Sequence, residues 1–419
     1  MTIKRIRING LFGTFDHEIK LNNNVVIIMG ENGVGKTITL NMIEAIFTKN
    51  FQYLIDKQFD EILISFHKET WHITRRSNNT DLFGDNSDVE LVFQSSRKDV
   101  ESFQITETML MPRIPYFFER VGADRWFNRR NGMYYNRMDL VDRYSGENTQ
   151  FEIPEWYQTQ CDCNRVKLIR TQRLFQEEDR HQQMLSVKKY SQELSALMQE
   201  EISKAAKNTG DLDRTFPKRL LRQMRSTNTY SSSDILSELK RLEERRLKLS
   251  DLGLLTELES KDTFIEELQQ DDNTILSVMH LYVKDSWEKL KKYDNLFEKL
   301  SLLKDIINCR YKHKVFSFDS KEGFVIQSSD SQQSKKIPVE MLSSGEQNEL
   351  VLFYEMLFKC DSKDLVLIDE PEISLHLEWM QSMIGDLKRV ADKNKMSLLI
   401  ATHSPDLVGE NYELVQHLS

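Results

Sequence analysis

The run Val25-Val26-Ile27-Ile28-Met29 passes directly into Gly30-Glu31-Asn32-Gly33-Val34-Gly35-Lys36-Thr37. An apolar run without alternation reads as a strand covered on both faces. The eight residues after it fit G-x-x-x-x-G-K-[ST]. In such a loop the glycines let the backbone wrap so that its N–H groups point inward at phosphate oxygens. The helix that follows adds its positive dipole end. The Lys36 ammonium is placed to reach the β- and γ-phosphates, and the Thr37 hydroxyl to ligate Mg2+. A helical pattern from Lys36 to about Phe47, with Leu40, Ile43 and Ile46 on one side, completes the context. A chance glycine turn would lack both flanks. The expectation is an ATP and Mg2+ site whose nucleotide contacts are Gly30, Glu31, Asn32, Gly33, Val34, Gly35, Lys36 and Thr37.

Working outward, the next chemistry lies far along the chain. Leu365-Val366-Leu367-Ile368-Asp369-Glu370 is an apolar strand ending in two carboxylates. Parallel strands present ligand chemistry at their C-terminal ends. There Asp369 would hold Mg2+ and Glu370 would polarise the attacking water as general base. Taken alone, a strand ending in solvated acids explains the pair equally well; the phosphate loop tips the balance. Leu342-Ser343-Ser344-Gly345-Glu346-Gln347 precedes a helical pattern through Leu350, Leu352, Phe353 and Leu357. This loop is either a second anion cradle or a plain helix cap with Glu346 in the first turn, and by itself it favours the cap.

The remaining text frames these motifs. Ile3, Ile6 and Ile8 alternate with Lys4, Arg5 and Arg7, as in a strand with one wet face. Residues 61–75 and 89–105 read as further strands, with turn chemistry at Asn78-Asn79-Thr80 and Gly84-Asp85-Asn86. Residues 107–160 read as an insertion. Val166–Arg170 looks like a strand returning to the core. From Gln176 to about Tyr311 the pattern is helical and holds a single proline, Pro217. Leu290, Tyr293, Phe297, Leu300, Leu303 and Ile307 make one stripe; Ile235, Leu239, Leu242 and Leu249 make another. Neither sustains the heptads of a long coiled coil. Residues 328–336 read as a polar loop. Strands at 365–368 and 398–402 flank a helix at about 374–391. The predicted organisation is an N-terminal lobe at 1–175, a helical insertion at 176–325 and a C-terminal lobe at 326–419.

Composition bounds the partners. The 419 residues include 57 Lys+Arg and 66 Asp+Glu, a net charge of −9, which argues against coating nucleic acid by bulk charge. Gly at 15 and Pro at 7 imply abundant helix. The cysteines Cys161, Cys163, Cys309 and Cys360 form no C-x-x-C pair, which fits a reducing cytoplasm better than a disulfide scaffold. The N-terminus lacks the apolar core of a signal peptide, and no run of about 18 apolar residues suggests a membrane span. Residues 116–144 mix aromatics with arginines. Trp126, Tyr134 and Tyr135 would suit base stacking, a protein interface or the core of a folded lid, and the acidic total ranks lid or interface above nucleic acid. Lys218, Arg219, Arg222 and Arg225 read as a solvated helix face.

The order of the phosphate loop, LSSGEQ, LVLIDE-PE and Ala401-Thr402-His403-Ser404 resembles the head of an ABC-type ATPase of the structural-maintenance-of-chromosomes and overcoming-lysogenisation-defect class. The resemblance covers about half the chain. It implies an α/β fold with an antiparallel β subdomain and an inserted helical subdomain. It also implies that Ser343 and Gly345 contact the γ-phosphate held by a partner chain, and that Pro371 to His376 cross the seam. His403 would touch the γ-phosphate from its own chain. Gln172, in Arg170-Thr171-Gln172-Arg173, is placed like the family's magnesium-sensing glutamine, although a surface glutamine fits as well. Ser344 departs from the commoner LSGG pattern. The implied assembly is an ATP-sandwiched homodimer or a higher homo-oligomer such as a hexamer.

Within the class, the absent cysteine hook and the short stretch after Glu370 set aside hook-bearing coiled coils and a fused Toprim nuclease. The head spacing, the compact helical insert and the segment Leu212–Leu220 look most like the AriA-type ATPases of PARIS anti-phage systems, with the Septu ATPases a near alternative. That likeness implies a scaffold that holds a separately encoded Toprim-type nuclease toxin (AriB-like) and releases it on a phage-encoded trigger. A DNA-repair ATPase touching DNA directly and a non-hydrolysing interaction module remain the other readings.

Overall fold

The computed structural model describes residues 3–78, 88–110, 117–122, 125–136, 152–179, 182–225, 231–255, 273–329 and 335–418. The turns expected at 79–80 and 84–86, much of the 116–144 insertion and most of the 328–336 loop fall outside them. The chain divides into two units. The first comprises Met1–Thr171, Cys360–Ile373 and Met380–Ser419; the second comprises Gln172–Lys359 and Ser374–Trp379.

The first unit opens with β1 (Ile3–Leu11), β2 (Phe15–Lys20), β3 (Val25–Met29), β4 (Glu61–Phe66), β5 (Thr70–Asn78), β6 (Asp88–Ser95) and β7 (Phe103–Thr106). It continues with the short strands β8 (Phe118–Gly122), β9 (Arg125–Asn128) and β10 (Met133–Asn136), then β11 (Val166–Ile169). The second unit contributes β12 (Phe175–Asp179), β13 (Gln182–Leu185), β14 (Lys314–Asp319), β15 (Gly323–Ser328) and β16 (Lys336–Ile337). The first unit closes with β17 (Leu365–Asp369), β18 (Ser397–Thr402) and β19 (Val415–His417).

A five-stranded sheet ordered β11-β17-β18-β3-β19 carries the site, and every neighbouring pair in it is parallel. All residues of β17 and β18 are buried, as are Val25 to Ile28 of β3, which is why these strands read as unbroken apolar runs. The helix Lys36–Thr48 follows β3 and buries Leu40, Ile43 and Ile46. Antiparallel strands ordered β2-β1-β4-β5-β6-β7 form the other large sheet. There Ile3, Ile6 and Ile8 are buried while Lys4 and Arg5 are exposed, so the alternation read in the sequence is a real in–out pattern.

An aromatic cluster fills the core of this unit. Trp71 is 1% exposed, stacks on Tyr157 with ring centroids 4.7 Å apart and meets Phe66 edge-on at 5.0 Å. Phe93 stacks on Phe103 at 4.6 Å. The Tyr157 hydroxyl donates to the Ile46 carbonyl at 2.5 Å, tying the helix Glu155–Cys163 to the helix that follows the phosphate loop. Tyr157 belongs to the stretch read as an insertion, yet it is a core residue. The three-stranded sheet β10-β9-β8 buries Trp126 and Tyr135, so of the three candidate stacking residues only Tyr134 faces solvent.

In the second unit the residues after Gln176 do not start a helix. Phe175–Asp179 and Gln182–Leu185 pair as an antiparallel hairpin. The Gln/Glu-rich text favours helix by intrinsic propensity, and strand pairing overrides it. The helix Ser186–Met224 follows, 39 residues long with Pro217 inside it. The helix Ser232–Asp251 buries Ile235, Leu239, Leu242 and Leu249, the stripe expected from the sequence. The other stripe spans a break. One helix ends at Leu290, a 3-10 turn covers Lys291–Tyr293, and the helix Asp294–Arg310 resumes. Arg219 is not simply solvated: its guanidinium donates to Asp285 Oδ2 at 2.7 Å. Cys163 and Cys309 are exposed, whereas Cys161 and Cys360 are buried. Among the described residues no helix is long and apolar enough to cross a membrane.

Because Trp71 is sealed among rings, truncation leaves a cavity that cannot collapse. Trp71→Ala is expected to cost about 3–5 kcal/mol, read by urea unfolding followed by far-ultraviolet circular dichroism.

Candidate nucleotide-binding site

The phosphate loop turns where β3 ends. Gly33 and Gly35 adopt φ of 94° and 90°, backbone that side chains with a Cβ rarely take. At Gly35 there is also no room: a Cβ would lie 2.8 Å from Leu11 Cδ2. Gly35 is the N-cap of the helix Lys36–Thr48 and offers no side-chain cap, so the first-turn N–H groups are left for an anion. Lys36 is only 6% exposed, and its Nζ donates to the Gly30 carbonyl at 2.7 Å and the Glu31 carbonyl at 3.0 Å. The ammonium is therefore held inside the loop. Met29, Gly30, Glu31, Asn32, His403 and His417 line a cavity of about 410 Å³.

Asp369 sits at the end of β17, 4% exposed. The Thr37 hydroxyl lies 3.1 Å from both its oxygens, and the Thr171 hydroxyl donates to Oδ2 at 2.7 Å. Burial pushes this carboxyl above the ordinary range, and the two hydroxyls partly offset the rise. One carboxylate and a hydroxyl are hard oxygen donors of the kind Mg2+ takes when phosphate oxygens and water supply the rest. Among the described residues no group of three or more His, Cys, Asp or Glu side chains could hold a metal ion unaided. The donor set thus fits a phosphate-borne Mg2+ and not an all-protein cage.

Glu370 has φ of 44°, strained for a residue with a side chain. Its N–H still bonds the Ala401 carbonyl at 2.9 Å, extending the β17–β18 ladder one residue past the strand. His403, just beyond β18, brings Nδ1 to 3.2 Å from Glu370 Oε1. The parallel sheet thus gathers Gly30–Thr37, Asp369, Glu370 and His403 at the C-terminal ends of β3, β17 and β18.

The other expected site residues lie in the second unit. Gln172 is its first residue and is exposed; the hydroxyl that reaches Asp369 comes from the preceding Thr171. Ser343 caps the helix Ser344–Tyr354 in a reciprocal capping box with Glu346. Lys314 Nζ holds Glu346 Oε1 at 2.6 Å. Gly345 is required by close approach, since a Cβ there would lie 2.4 Å from the Ser374 carbonyl oxygen. Ser343 and Ser344 remain exposed at the helix start. Beneath them Arg310 Nε meets Glu349 Oε1 at 2.6 Å, both side chains buried, and the Arg173 Nε donates to the Asn348 carbonyl at 3.1 Å.

Three residues near the phosphate loop and its carboxylates were given no individual role by the sequence, although Glu372 lies in the Pro371–His376 segment expected at the seam. Thr171 adjoins a residue that was singled out. Glu372 follows the acidic pair in Asp-Glu-Pro-Glu. His417 lies on a strand too short to show a pattern.

A glycine loop at a helix N-terminus, a lysine inside it and a buried aspartate at the end of a second parallel strand define a P-loop nucleotide-hydrolysing site. The chain belongs to the AAA ATPase domain family, whose model matches residues 1–408, and the protein is an ATPase. Among solved structures it is similar to an Smc head domain with an extended coiled coil, bound to the C-terminal domain of ScpA, from Pyrococcus furiosus. That match has 13% identity and a TM-score of 0.36, and covers 97% of this chain and 91% of the other. An SmcHead bound to the C-winged helix domain of ScpA gives 10% identity and a TM-score of 0.35, with the same coverage of 97% and 91%. No curated protein matches the chain.

Since the fold disfavours ionised Asp369, Asp369→Asn removes a buried charge. At pH 7 without nucleotide the variant is expected to melt at a higher temperature than wild type. The difference should shrink as pH falls toward 3.8, where the wild-type carboxyl is increasingly protonated in both states. Differential scanning fluorimetry across that range reads the sign.

Proposed function

We propose that this ATPase hydrolyses Mg2+-ATP at the Gly30–Thr37 loop, with Glu370 as general base and His403 at the γ-phosphate. The observation that carries this reading is the 3.2 Å approach of His403 Nδ1 to Glu370 at the strand ends that also bear the phosphate loop and Asp369. The metal would be held by Thr37 and Asp369, with Gln172 or Thr171 next to it, and would supply charge neutralisation on the phosphates. Glu370 would accept the proton of the attacking water, and His403 would orient Glu370 and the transferring group.

A second copy of the chain would complete the site with Ser343 and Gly345. What supports this is the exposed serine pair at a helix N-terminus, an anion-binding end, together with the family resemblance of the LSSGEQ loop. ATP then drives association and hydrolysis releases it. Such a switch suits a scaffold and sensor. On the strength of the AriA-like sequence features, we place it in an anti-phage system of the PARIS type, holding a separately encoded Toprim-type nuclease until a phage-encoded trigger arrives.

A second reading, direct DNA contact, is favoured by one feature. Tyr134 is 61% exposed, its ring centroid is 5.1 Å from that of Phe127, and the Arg125 guanidinium lies 5.6 Å from the Tyr134 ring centroid. That reading requires DNA-stimulated turnover that falls steeply with salt. Unchanged turnover on adding DNA at low salt removes it.

Glu370→Gln tests the main reading. The variant is expected to bind ATP like wild type, to lose about 100-fold or more of its phosphate release, and to accumulate as an ATP-dependent dimer in light scattering. A variant that turns over normally, or stays monomeric with ATP, sinks the proposal.

A further inference from the structure

β17 ends at Asp369, and the chain then reverses sharply. Glu370 takes its left-handed φ of 44°, Pro371 follows, and the Ile373 N–H returns to the Glu370 carbonyl at 3.3 Å. This turn carries Glu372 beside the end of β18, where it is 4% exposed. Glu372 Oε1 accepts the Thr402 hydroxyl at 2.5 Å and lies 3.4 Å from the His403 backbone nitrogen. Thr402 is itself fully buried, and its Oγ1 accepts the Ser404 N–H at 2.9 Å. A relay therefore runs from the Ser404 amide through the Thr402 hydroxyl to the Glu372 carboxylate. It braces the residues on both sides of His403. The imidazole Nδ1 lies 3.2 Å from Glu370 Oε1 and 3.6 Å from Glu372 Oε1, flanked by the two carboxylates.

The other oxygen, Glu372 Oε2, is buried and has no hydrogen-bond partner. Burial pushes the Glu372 carboxyl above the usual range, partly offset by the Thr402 hydrogen bond. A half-satisfied buried carboxylate is a poor stabilising device, because an apolar side chain of similar volume would pack there without the desolvation cost. Its place beside the reacting end of the site, where departures from ordinary packing serve chemistry, points to a functional role.

We propose that Glu372 is a positioning residue of the hydrolytic centre: through the Thr402 hydroxyl it fixes the turn that aims His403 at Glu370 and at the reacting phosphate. The inference rests on hydrolysis at Glu370 as set out above. Glu372 need not touch nucleotide; it acts through Thr402 and His403.

The test compares steady-state ATP turnover of wild type, Glu372→Ala, Glu372→Gln, Thr402→Val and the double variant Glu372→Ala/Thr402→Val, with Glu370→Gln as control. Glu372→Ala is expected to lower kcat by about 10- to 100-fold, the usual range for residues that orient a reacting side chain. Its KM should stay within about twofold, because ground-state binding through the phosphate loop is untouched. Glu372→Gln keeps a carbonyl oxygen for Thr402 and should stay within about threefold of wild type, about one ordinary hydrogen bond's spread. Thr402→Val should reproduce the alanine defect, and the double variant should be no worse than the poorer single one, since both cut the same relay. If Glu372→Ala unfolds, the Glu372→Gln and Thr402→Val pair carries the test. Normal kcat in Thr402→Val, a Glu372→Gln as slow as the alanine variant, or multiplying losses in the double variant overturns the positioning role. Turnover that depends on Glu370 yet is normal in Glu372→Ala overturns it alone; turnover insensitive to Glu370→Gln overturns the hydrolytic reading and this inference together.

Discussion

The parallel alignment of three strands governs this molecule. Ile27 pairs with Ile400, and Ile368 pairs with Ile400 from the other side, although Ile27 is hundreds of positions from both in sequence. Neither face of these strands meets water, so the pairing is held by burial on both sides as well as by the ladder. Because all three run in the same direction, their C-terminal ends finish together. That one constraint sets the phosphate loop, the buried aspartate and the strained glutamate side by side. A shift by one residue in either pairing would turn each strand's side chains to the opposite face and disperse the group.

The same constraint explains why polar cost concentrates where it does. Asp369 is buried and tolerates it through two hydroxyls, one from the phosphate-loop helix and one from the end of the β11 segment. Glu370 accepts a left-handed backbone, and Glu372 accepts an unmatched oxygen, within three residues of that strand end. Away from the site the first unit is built conventionally, with apolar strands and a ring cluster around Trp71. At this strand end, strain and an unmatched carboxylate oxygen stand together where chemistry is expected.

What could be read from sequence followed the periodicity and the motifs. The apolar runs at 25–29, 365–368 and 398–402 were legible because double-sided burial writes itself as continuous hydrophobicity, and the phosphate loop because its glycines answer to backbone geometry. The hairpin at Phe175–Leu185 was not legible: Gln and Glu carry no strand signal, and the pairing is set by tertiary context. Tyr157 was hidden because a core residue in a short, polar helix lacks a stripe long enough to see. The individual roles of Thr171 and Glu372 were not legible for another reason. Their roles lie in partners brought by the fold, a carboxylate and a hydroxyl that no spacing rule connects to them.

The placement of the cysteines has a practical consequence. The two exposed thiols, Cys163 and Cys309, fall one in each unit, while the Cys161 thiol is buried and pushed up to about 12, far too high to react at neutral pH. Cys360 is also enclosed. The native chain is therefore already a two-point labelling scaffold. Maleimide dyes would settle on its two accessible positions without engineering, one reporter in each unit.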